Sequence, residues 1–210
     1  PHPAERGLYW GGFVNTRSSF DFIPFDVFKC TLADKWGNPY DPETDFEGME
    51  PLKQESYTRI LGLQAELWSE TVKGGTMAEY YYLPKLVGFA ERAWVGQASW
   101  GTIGDREKRV AALDRDWNRF ANMVGQREMP RLDYLFGGFN YRIPPPGAMV
   151  KDGKLHANIN FPGLTVRYTT DGSAPDGNSP VYSEPVEVSG KVMLRAFDTR
   201  GRGSRVSVAE

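Results

Sequence analysis

The spacing of apolar positions divides the chain into two parts. Before residue 130, apolar residues recur every three or four positions, most regularly at Val110, Leu113, Trp117, Phe120 and Val124. This spacing places apolar side chains on one face of a helix. After residue 147 apolar and polar residues alternate, as they do in half-buried strands. The segment RIPPPG, residues 142–147, predicts a stiff and extended linker between the two parts.

The first part also predicts two further helices, one near residues 16–28 and one over 76–95. Pro84 lies inside the second of these helices. Because proline has no N–H and crowds the preceding turn, we expect the helix to kink or restart there. Trp94, Trp100 and Trp117 are expected to pack in the interior of this part.

One buried strand is predicted, over residues 59–67, from the apolar residues Ile60, Leu61 and Leu63. A single strand cannot satisfy its own backbone hydrogen-bonding groups. An α/β barrel needs eight strands and on the order of 200 residues or more. We therefore expect residues 1–145 to be the closing end of a larger α/β domain.

The second part, residues 146–210, predicts a small antiparallel β-sandwich. Five segments with period-two alternation are strand candidates: 154–161, 164–170, 180–188, 191–197 and 204–209. Asp171-Gly172 has the composition of a hairpin turn. The predicted fold class is therefore α/β plus all-β.

Composition and charge exclude several classes of function. The net charge is −2, so no basic field favours nucleic acid. The single cysteine excludes an intrachain disulfide, and the two histidines, which are far apart, do not suggest a zinc site. No apolar run is long enough to span a membrane. No cofactor or metal is expected.

Trp68 and Glu70 are the first candidate binding residues, because they lie two positions apart at the end of the predicted strand. An indole can cover the apolar face of a sugar ring, and a carboxylate can accept hydrogen bonds from hydroxyl groups. A tryptophan at a strand end is, however, more often a core residue. Both interpretations stay open on the residues alone.

Three stretches of the first part resemble a known family. GLYWGGFVNTRSSFDFIP, ILGLQAELWSE and YYYLPKLVGFAERAWV are similar to the end of the (β/α)8 barrel in glycoside hydrolase family 20, the β-N-acetylhexosaminidases, which include the chitobiases. LTVRYTTDGSAPDGNSPVYSEPVEV and VMLRAFDTRGRGS resemble the β-sandwich that follows this barrel in bacterial members. The matches cover nearly the whole chain in the family's order.

The resemblance implies a role for three residues. Residues 59–68 would be the eighth barrel strand, so that Trp68 and Glu70 lie at its carboxyl end, where barrel active sites form. Trp68 would line the pocket around the 2-acetamido group, and Glu70 would bind the hydroxyls at positions 4 and 6 of the terminal sugar. Trp10 would stack on the next sugar.

The family's catalytic residues have no counterpart in this chain. The resemblance implies an adjacent Asp-Glu pair and a Tyr-x-Asp motif, both of which would lie before Pro1. The chain is thus expected to be a C-terminal fragment with no catalytic residue, inactive alone and partnered by the upstream part of the barrel and an N-acetylhexosamine oligosaccharide. Exposed barrel edges would favour self-association. The resemblance also implies a periplasmic, extracellular or cell-surface location in a bacterium.

Two alternative functions remain. The β-sandwich could be a non-catalytic carbohydrate-binding module that uses Tyr168, Tyr182 and Phe197, although these rings form no obvious coplanar strip. It could also have no sugar role and only support the barrel.

Overall fold

The computed structural model describes residues 15–30, 38–40, 42–69 and 72–210. The chain forms two compact units, Pro1–Asn118 and Arg119–Glu210. The domain boundary expected at residues 145–146 lies inside the second unit and stays a prediction.

Helices dominate the chain before residue 133. They are α1 (Thr16–Phe20), α2 (Val27–Cys30), α3 (Pro42–Asp45), α4 (Gly75–Tyr82), α5 (Lys85–Val95), α6 (Arg106–Met123) and α7 (Met129–Leu132). A π-helical turn, Val124–Glu128, connects α6 to α7.

The three helical predictions are confirmed with some differences. The helix predicted over 76–95 is α4 followed by α5, with the break at Leu83 and Pro84 that a missing proline N–H explains. The helix predicted near 16–28 is a single short turn, α1, whose first N–H groups are capped by Asn15: its Oδ1 accepts from the Ser18 N–H at 2.9 Å.

The buried strand predicted over residues 59–67 is wrong. Gln54–Arg59 form a 3-10 turn, and residues 60–69 form neither helix nor strand. Leu61, expected in the interior, is 98% exposed. The apolar pattern suits a strand, but a strand needs a neighbouring strand to satisfy its backbone hydrogen-bonding groups. The described residues before 147 form no strand that could pair with this segment.

The core of the first unit is built from aromatic rings around Phe20. Its ring lies 5.5 Å from the ring of Trp117 and 6.3 Å from that of Trp100. Both tryptophans are buried, as predicted. Trp100 also donates its indole N–H to Asp116 Oδ2 at 3.1 Å. The buried indole nitrogen therefore keeps a hydrogen bond, which removes the cost of burying it unpaired.

Arg92 on α5 is buried within this core. Its guanidinium lies 5.4 Å from the centre of the Phe20 ring and 5.2 Å from that of Trp100, so the aromatic faces contact the cation. Burial lowers the pKa of Arg92, and the carboxylates of Glu91, Asp116 and Asp21 oppose that shift.

Six strands form two antiparallel sheets in the second unit. They are β1 (Gly147–Lys151), β2 (Lys154–Asn158), β3 (Thr165–Thr169), β4 (Val186–Glu187), β5 (Val192–Phe197) and β6 (Ser207–Ala209). The first sheet has the order β1-β2-β4 and the second the order β3-β5-β6. The predicted antiparallel β-structure of the C-terminal part is confirmed.

Strand β1 was not predicted, although its signal is present in the sequence. Ala148 and Val150 point to the core and alternate with exposed residues. Asp152 and Gly153, with φ of +51° and +72°, form the two-residue turn that pairs Lys151 with Lys154.

Strand β4 is much shorter than the predicted segment 180–188. Pro180 and Pro185 lack the N–H that a ladder requires, so regular pairing is confined to Val186 and Glu187.

Residues of both sheets share one apolar core. Its buried members are Leu155, Val166, Val192, Leu194 and Ala209. Leu155 comes from the first sheet and the other four from the second, so each sheet buries one face on the other.

The segment predicted as a linker is mostly buried. Arg142 and Ile143 are 7% and 6% exposed. Tyr141, just before them, is also buried and donates its hydroxyl to Asp198 Oδ2 at 3.3 Å. Prolines keep the segment extended, but Tyr141 and Ile143 are buried within the second unit and are not exposed to solvent.

An ionic cluster around Arg202 joins this segment to the loop after β5. Arg202 Nε donates to Asp198 Oδ2 at 2.8 Å, and its Nη2 donates to Asp133 Oδ1 at 2.6 Å. The guanidinium also lies 4.3 Å above the Tyr141 ring. Burial and the Asp198 carboxylate raise the pKa of the Tyr141 phenol.

Substitution of Gly88 by Ala is expected to destabilise the first unit. A Cβ at this position would lie 2.5 Å from the backbone oxygen of Thr16, where α5 meets α1. Such overpacking costs about 1–3 kcal/mol in unfolding free energy, measured by denaturant titration. Gly75→Ala is the matched control, because nothing lies within 4 Å of its Cβ position. Equal stability of the two variants would contradict the close approach.

The raised pKa of Tyr141 predicts a loss of stability in alkali. Below pH ~10, the ordinary tyrosine pKa, the phenol is neutral in both states and stability is unaffected. Above it, the unfolded chain ionises while the folded one does not, so unfolding free energy falls by up to about 1.4 kcal/mol per pH unit. Denaturant titrations between pH 9 and 12 should show that the unfolding free energy falls less steeply with pH for Tyr141→Phe than for the unmodified chain. Identical slopes would refute the prediction.

Candidate functional site

Trp68 lies on an exposed, irregular segment of the first unit. Residues 60–69 follow the 3-10 turn Gln54–Arg59 and precede α4 in the chain. The Trp68 side chain is 63% exposed, whereas Trp100 of the same unit is 1% exposed. Trp68 is thus not a core residue of the described part of this unit, and its role in sugar binding stays a prediction.

Glu70 and Trp10, the other two predicted sugar-binding residues, lie outside the described residues. The predicted arrangement of Trp68, Glu70 and Trp10 around one sugar therefore stays a prediction.

Contacts on both sides hold the ends of the Trp68 segment. Tyr57, in the 3-10 turn before it, stacks on Phe25 with 4.5 Å between ring centres. After it, the Val72 N–H donates to Ser69 O at 3.0 Å. These contacts position an otherwise irregular segment without a strand ladder.

Glu66 is the described carboxylate next to Trp68 on this segment. Gln64 Nε2 donates to its Oε1 at 2.8 Å. The side chain is exposed and bonded within its own segment. Glu66 lacks the buried setting that usually tunes a catalytic acid.

The exposed indole defines what this segment can do chemically. An accessible indole face can stack on the C–H face of a pyranose ring, and nearby polar groups can bind its hydroxyls. Across residues 15–30, 38–40, 42–69 and 72–210, no group of three His, Cys, Asp or Glu side chains is placed to hold a metal. None of the described helices is long and apolar enough to cross a bilayer.

One further residue of the first unit differs from expectation. Trp94, expected in the interior, is 92% exposed at the end of α5. Arg92, two positions earlier, is the residue that turns inward. Positions 92 and 94 lie on different faces of α5, but sequence spacing alone does not say which face packs in the core.

The three aromatic rings considered for a binding strip on the β-sandwich are engaged in the fold. The Tyr182 hydroxyl accepts from the Ala157 N–H at 3.0 Å, and Phe197 is 7% exposed with Arg195 over its ring. Tyr168 packs against the shared core. The geometry does not favour a sugar-binding strip formed by these rings.

Two family models match the chain in succession. Residues 4–97 match the catalytic domain of glycosyl hydrolase family 20. Residues 128–206 match the chitobiase/beta-hexosaminidase C-terminal domain. The resemblance to family 20 glycoside hydrolases is thereby confirmed.

Individual relatives agree with this family. The chain is 35% identical to the N,N'-diacetylchitobiase of Vibrio harveyi, in an alignment that covers 95% of this chain. It is 31% identical to a beta-hexosaminidase of Vibrio vulnificus, in an alignment that covers 97% of this chain. It spans 22% and 25% of the length of these two relatives.

The difference in exposure predicts opposite results for two tryptophans. Trp68→Ala should change the unfolding free energy by less than about 0.5 kcal/mol, because an exposed side chain contributes little packing. Trp100→Ala should cost about 3–5 kcal/mol, because it leaves a cavity in the aromatic core. Denaturant titration of both variants checks this, with Trp94→Ala as a second exposed control. A large loss for Trp68→Ala would show that the indole supports the fold.

Proposed function

We propose that this chain forms the C-terminal part of an exo-acting β-N-acetylhexosaminidase that removes terminal GlcNAc or GalNAc from β-glycosides. The proposal rests most directly on the exposed indole of Trp68, which lies within the region that matches the family 20 catalytic domain. The chain spans about a quarter or less of two relatives' length, so the activity is proposed for the complete enzyme.

In this proposal, residues 1–145 complete a (β/α)8 barrel and residues 146–210 form the β-sandwich beside it. Exposed apolar side chains in the first unit support the idea. Leu61 and Trp94 are 98% and 92% exposed, and Met49 is 64% exposed. Such surfaces are costly in water and are expected where another part of a protein packs. In the complete enzyme the segment 59–68 would gain the strand partners that the described part of this chain does not supply.

Trp68 and Glu70 would then bind the non-reducing sugar. The indole would form a wall of the pocket around the 2-acetamido group, and the carboxylate would accept hydrogen bonds from the hydroxyls at positions 4 and 6. Trp10 would stack on the sugar that follows. This division suits an exo-acting enzyme, because contacts to the 4-hydroxyl require that no further sugar be attached there.

The reaction would be retaining and substrate-assisted, as in family 20. The acetamido oxygen of the substrate attacks the anomeric carbon, and an acid outside this chain protonates the leaving oxygen. Trp68 would exclude water from the acetamido group and hold it in the attacking position. Glu70 would fix the opposite edge of the ring. The chain would thus supply binding and orientation, and the proton transfers would belong to the remainder of the enzyme.

We further propose a periplasmic, extracellular or cell-surface location in a bacterium, where chitin fragments and other glycans are accessible. The bacterial relatives support this location. The exposed apolar side chains of the first unit would also promote self-association of the isolated chain.

Glu70→Gln is the central test in the complete enzyme. With 4-nitrophenyl N-acetyl-β-glucosaminide as substrate, kcat/KM should fall on the order of 100-fold, because hydrogen bonds to a charged group contribute about 1.5–3 kcal/mol each. Trp68→Ala should also lower kcat/KM, and Met149→Ala, at an exposed position of the second unit, should leave it unchanged.

Release of 4-nitrophenol separates the outcomes. Unchanged kinetics for both Glu70→Gln and Trp68→Ala would overturn the assignment of the sugar site. A complete enzyme with no activity on this substrate or its N-acetylgalactosaminide counterpart would overturn the proposed function itself.

A further inference from the structure

Two aromatic rings in the second unit project from a short loop into solvent. Tyr134 is 66% exposed and Phe136 is 95% exposed. Both belong to the loop 133–139, which follows α7 and contains the 3-10 turn Leu135–Gly137. A single exposed apolar residue is common, but two large exposed rings two positions apart on one loop are not accounted for by packing.

The backbone of Phe136 is strained. Its φ is +53° and its ψ is +29°, a left-handed conformation that is rare for a bulky residue. Gly137 and Gly138 follow with φ of +91° and +95°, so three consecutive residues have a positive φ. Glycine would occupy the first of these positions without strain. Strained residues of this kind concentrate at functional sites, which directs attention to the Phe136 ring.

The loop is held at both ends. The Phe139 N–H donates to Leu132 O at 2.8 Å, and Arg202 Nη1 donates to Phe139 O at 3.2 Å. At the other end, Arg200 Nη1 donates to Asp133 O at 3.2 Å. The Phe136 ring meets the Phe139 ring edge to face with 6.3 Å between centres. The position of the exposed ring is therefore set before any ligand arrives, which lowers the entropic cost of binding.

Polar groups belong to the same loop or border it. Tyr134 carries a phenolic hydroxyl, and the side chain of Arg200 is 55% exposed. The Arg200 Nη1 lies 3.6 Å from where a Cβ of Gly138 would be, so its guanidinium borders the same loop. An apolar ring face beside hydrogen-bond donors suits a pyranose, whose C–H face stacks while its hydroxyl and acetamido oxygens accept.

We propose that Tyr134 and Phe136 form a second sugar-binding site, which stacks on a pyranose ring of a β-linked N-acetylhexosamine chain. The ligand class rests on the proposed function, while the site rests on the geometry of the loop. The site would hold a polymeric substrate through a sugar that is not being hydrolysed. Its contribution would therefore appear with oligosaccharides and be absent with a monosaccharide glycoside.

Titration of the 210-residue chain with chitohexaose, followed by calorimetry, tests the site. Phe136→Gly should weaken binding roughly three- to tenfold, the effect of losing one aromatic stacking contact. Phe136→Leu keeps an apolar side chain without a flat ring and should weaken binding similarly. Met149→Ala, which changes another exposed residue of the second unit, should leave binding unchanged.

Thermal unfolding of the same variants separates a binding role from a structural one. Because glycine relieves the left-handed strain, the unfolding midpoint of Phe136→Gly should stay equal or rise while binding weakens. A fall in the midpoint together with unchanged binding would overturn the proposal. Absence of saturable binding to the unmodified chain would overturn it too.

The two proposals can fail separately. If Trp68→Ala abolishes binding of chitohexaose and Phe136→Gly does not change it, the second site is overturned and the site at Trp68 is retained. If Phe136→Gly weakens binding of chitohexaose and the complete enzyme does not hydrolyse the 4-nitrophenyl glycosides, the second site is retained and the enzyme assignment is overturned. Reduced hydrolysis of chitohexaose by Phe136→Gly, with normal hydrolysis of the monosaccharide glycoside, would support both.

Discussion

The ion pair between partly exposed Arg202 and buried Asp198 is the interaction on which the second unit most depends. Burying a carboxylate costs several kcal/mol unless an opposite charge and further hydrogen bonds compensate. Here the Asp198 side chain, 3% exposed, also accepts from the Tyr141 hydroxyl and from the N–H groups of Arg200 and Arg202. Arg202 in turn binds Asp133 and covers a ring. A compensated cluster of this kind has one geometry, so it fixes the loop after β5 against the segment 133–141.

The first unit buries an arginine in a different way. Arg92 lies between the rings of Phe20 and Trp100, where aromatic faces rather than carboxylates surround the cation. This arrangement needs large rings from separate helices, and Gly88 allows α5 to approach α1 closely enough to supply them. Each unit thus places a guanidinium against aromatic rings: Arg202, 31% exposed, within an ionic cluster, and Arg92, 2% exposed, between two rings.

Exposure, rather than residue type, separates the aromatic residues that fill the core from those whose rings are accessible in this chain. Trp100 and Trp117 fill the core, whereas Trp68 and Phe136 present their rings to solvent. Phe136 does so from a strained backbone held by the Arg202 cluster, which links the stability of the second unit to the proposed recognition of sugar.

The sequence by itself determined what depends on neighbouring positions. The helical spacing of Val110, Leu113 and Trp117 predicted α6, the alternation at 191–197 predicted β5, and the motifs around Trp68 predicted the family. Tertiary structure decided the rest. The apolar segment 59–67 forms no strand because the described part of its unit supplies no partner, and Arg202 binds an aspartate 69 residues away. Local periodicity is set by hydrogen bonds within a few residues, whereas partners, burial and backbone strain depend on contacts between segments far apart in the chain.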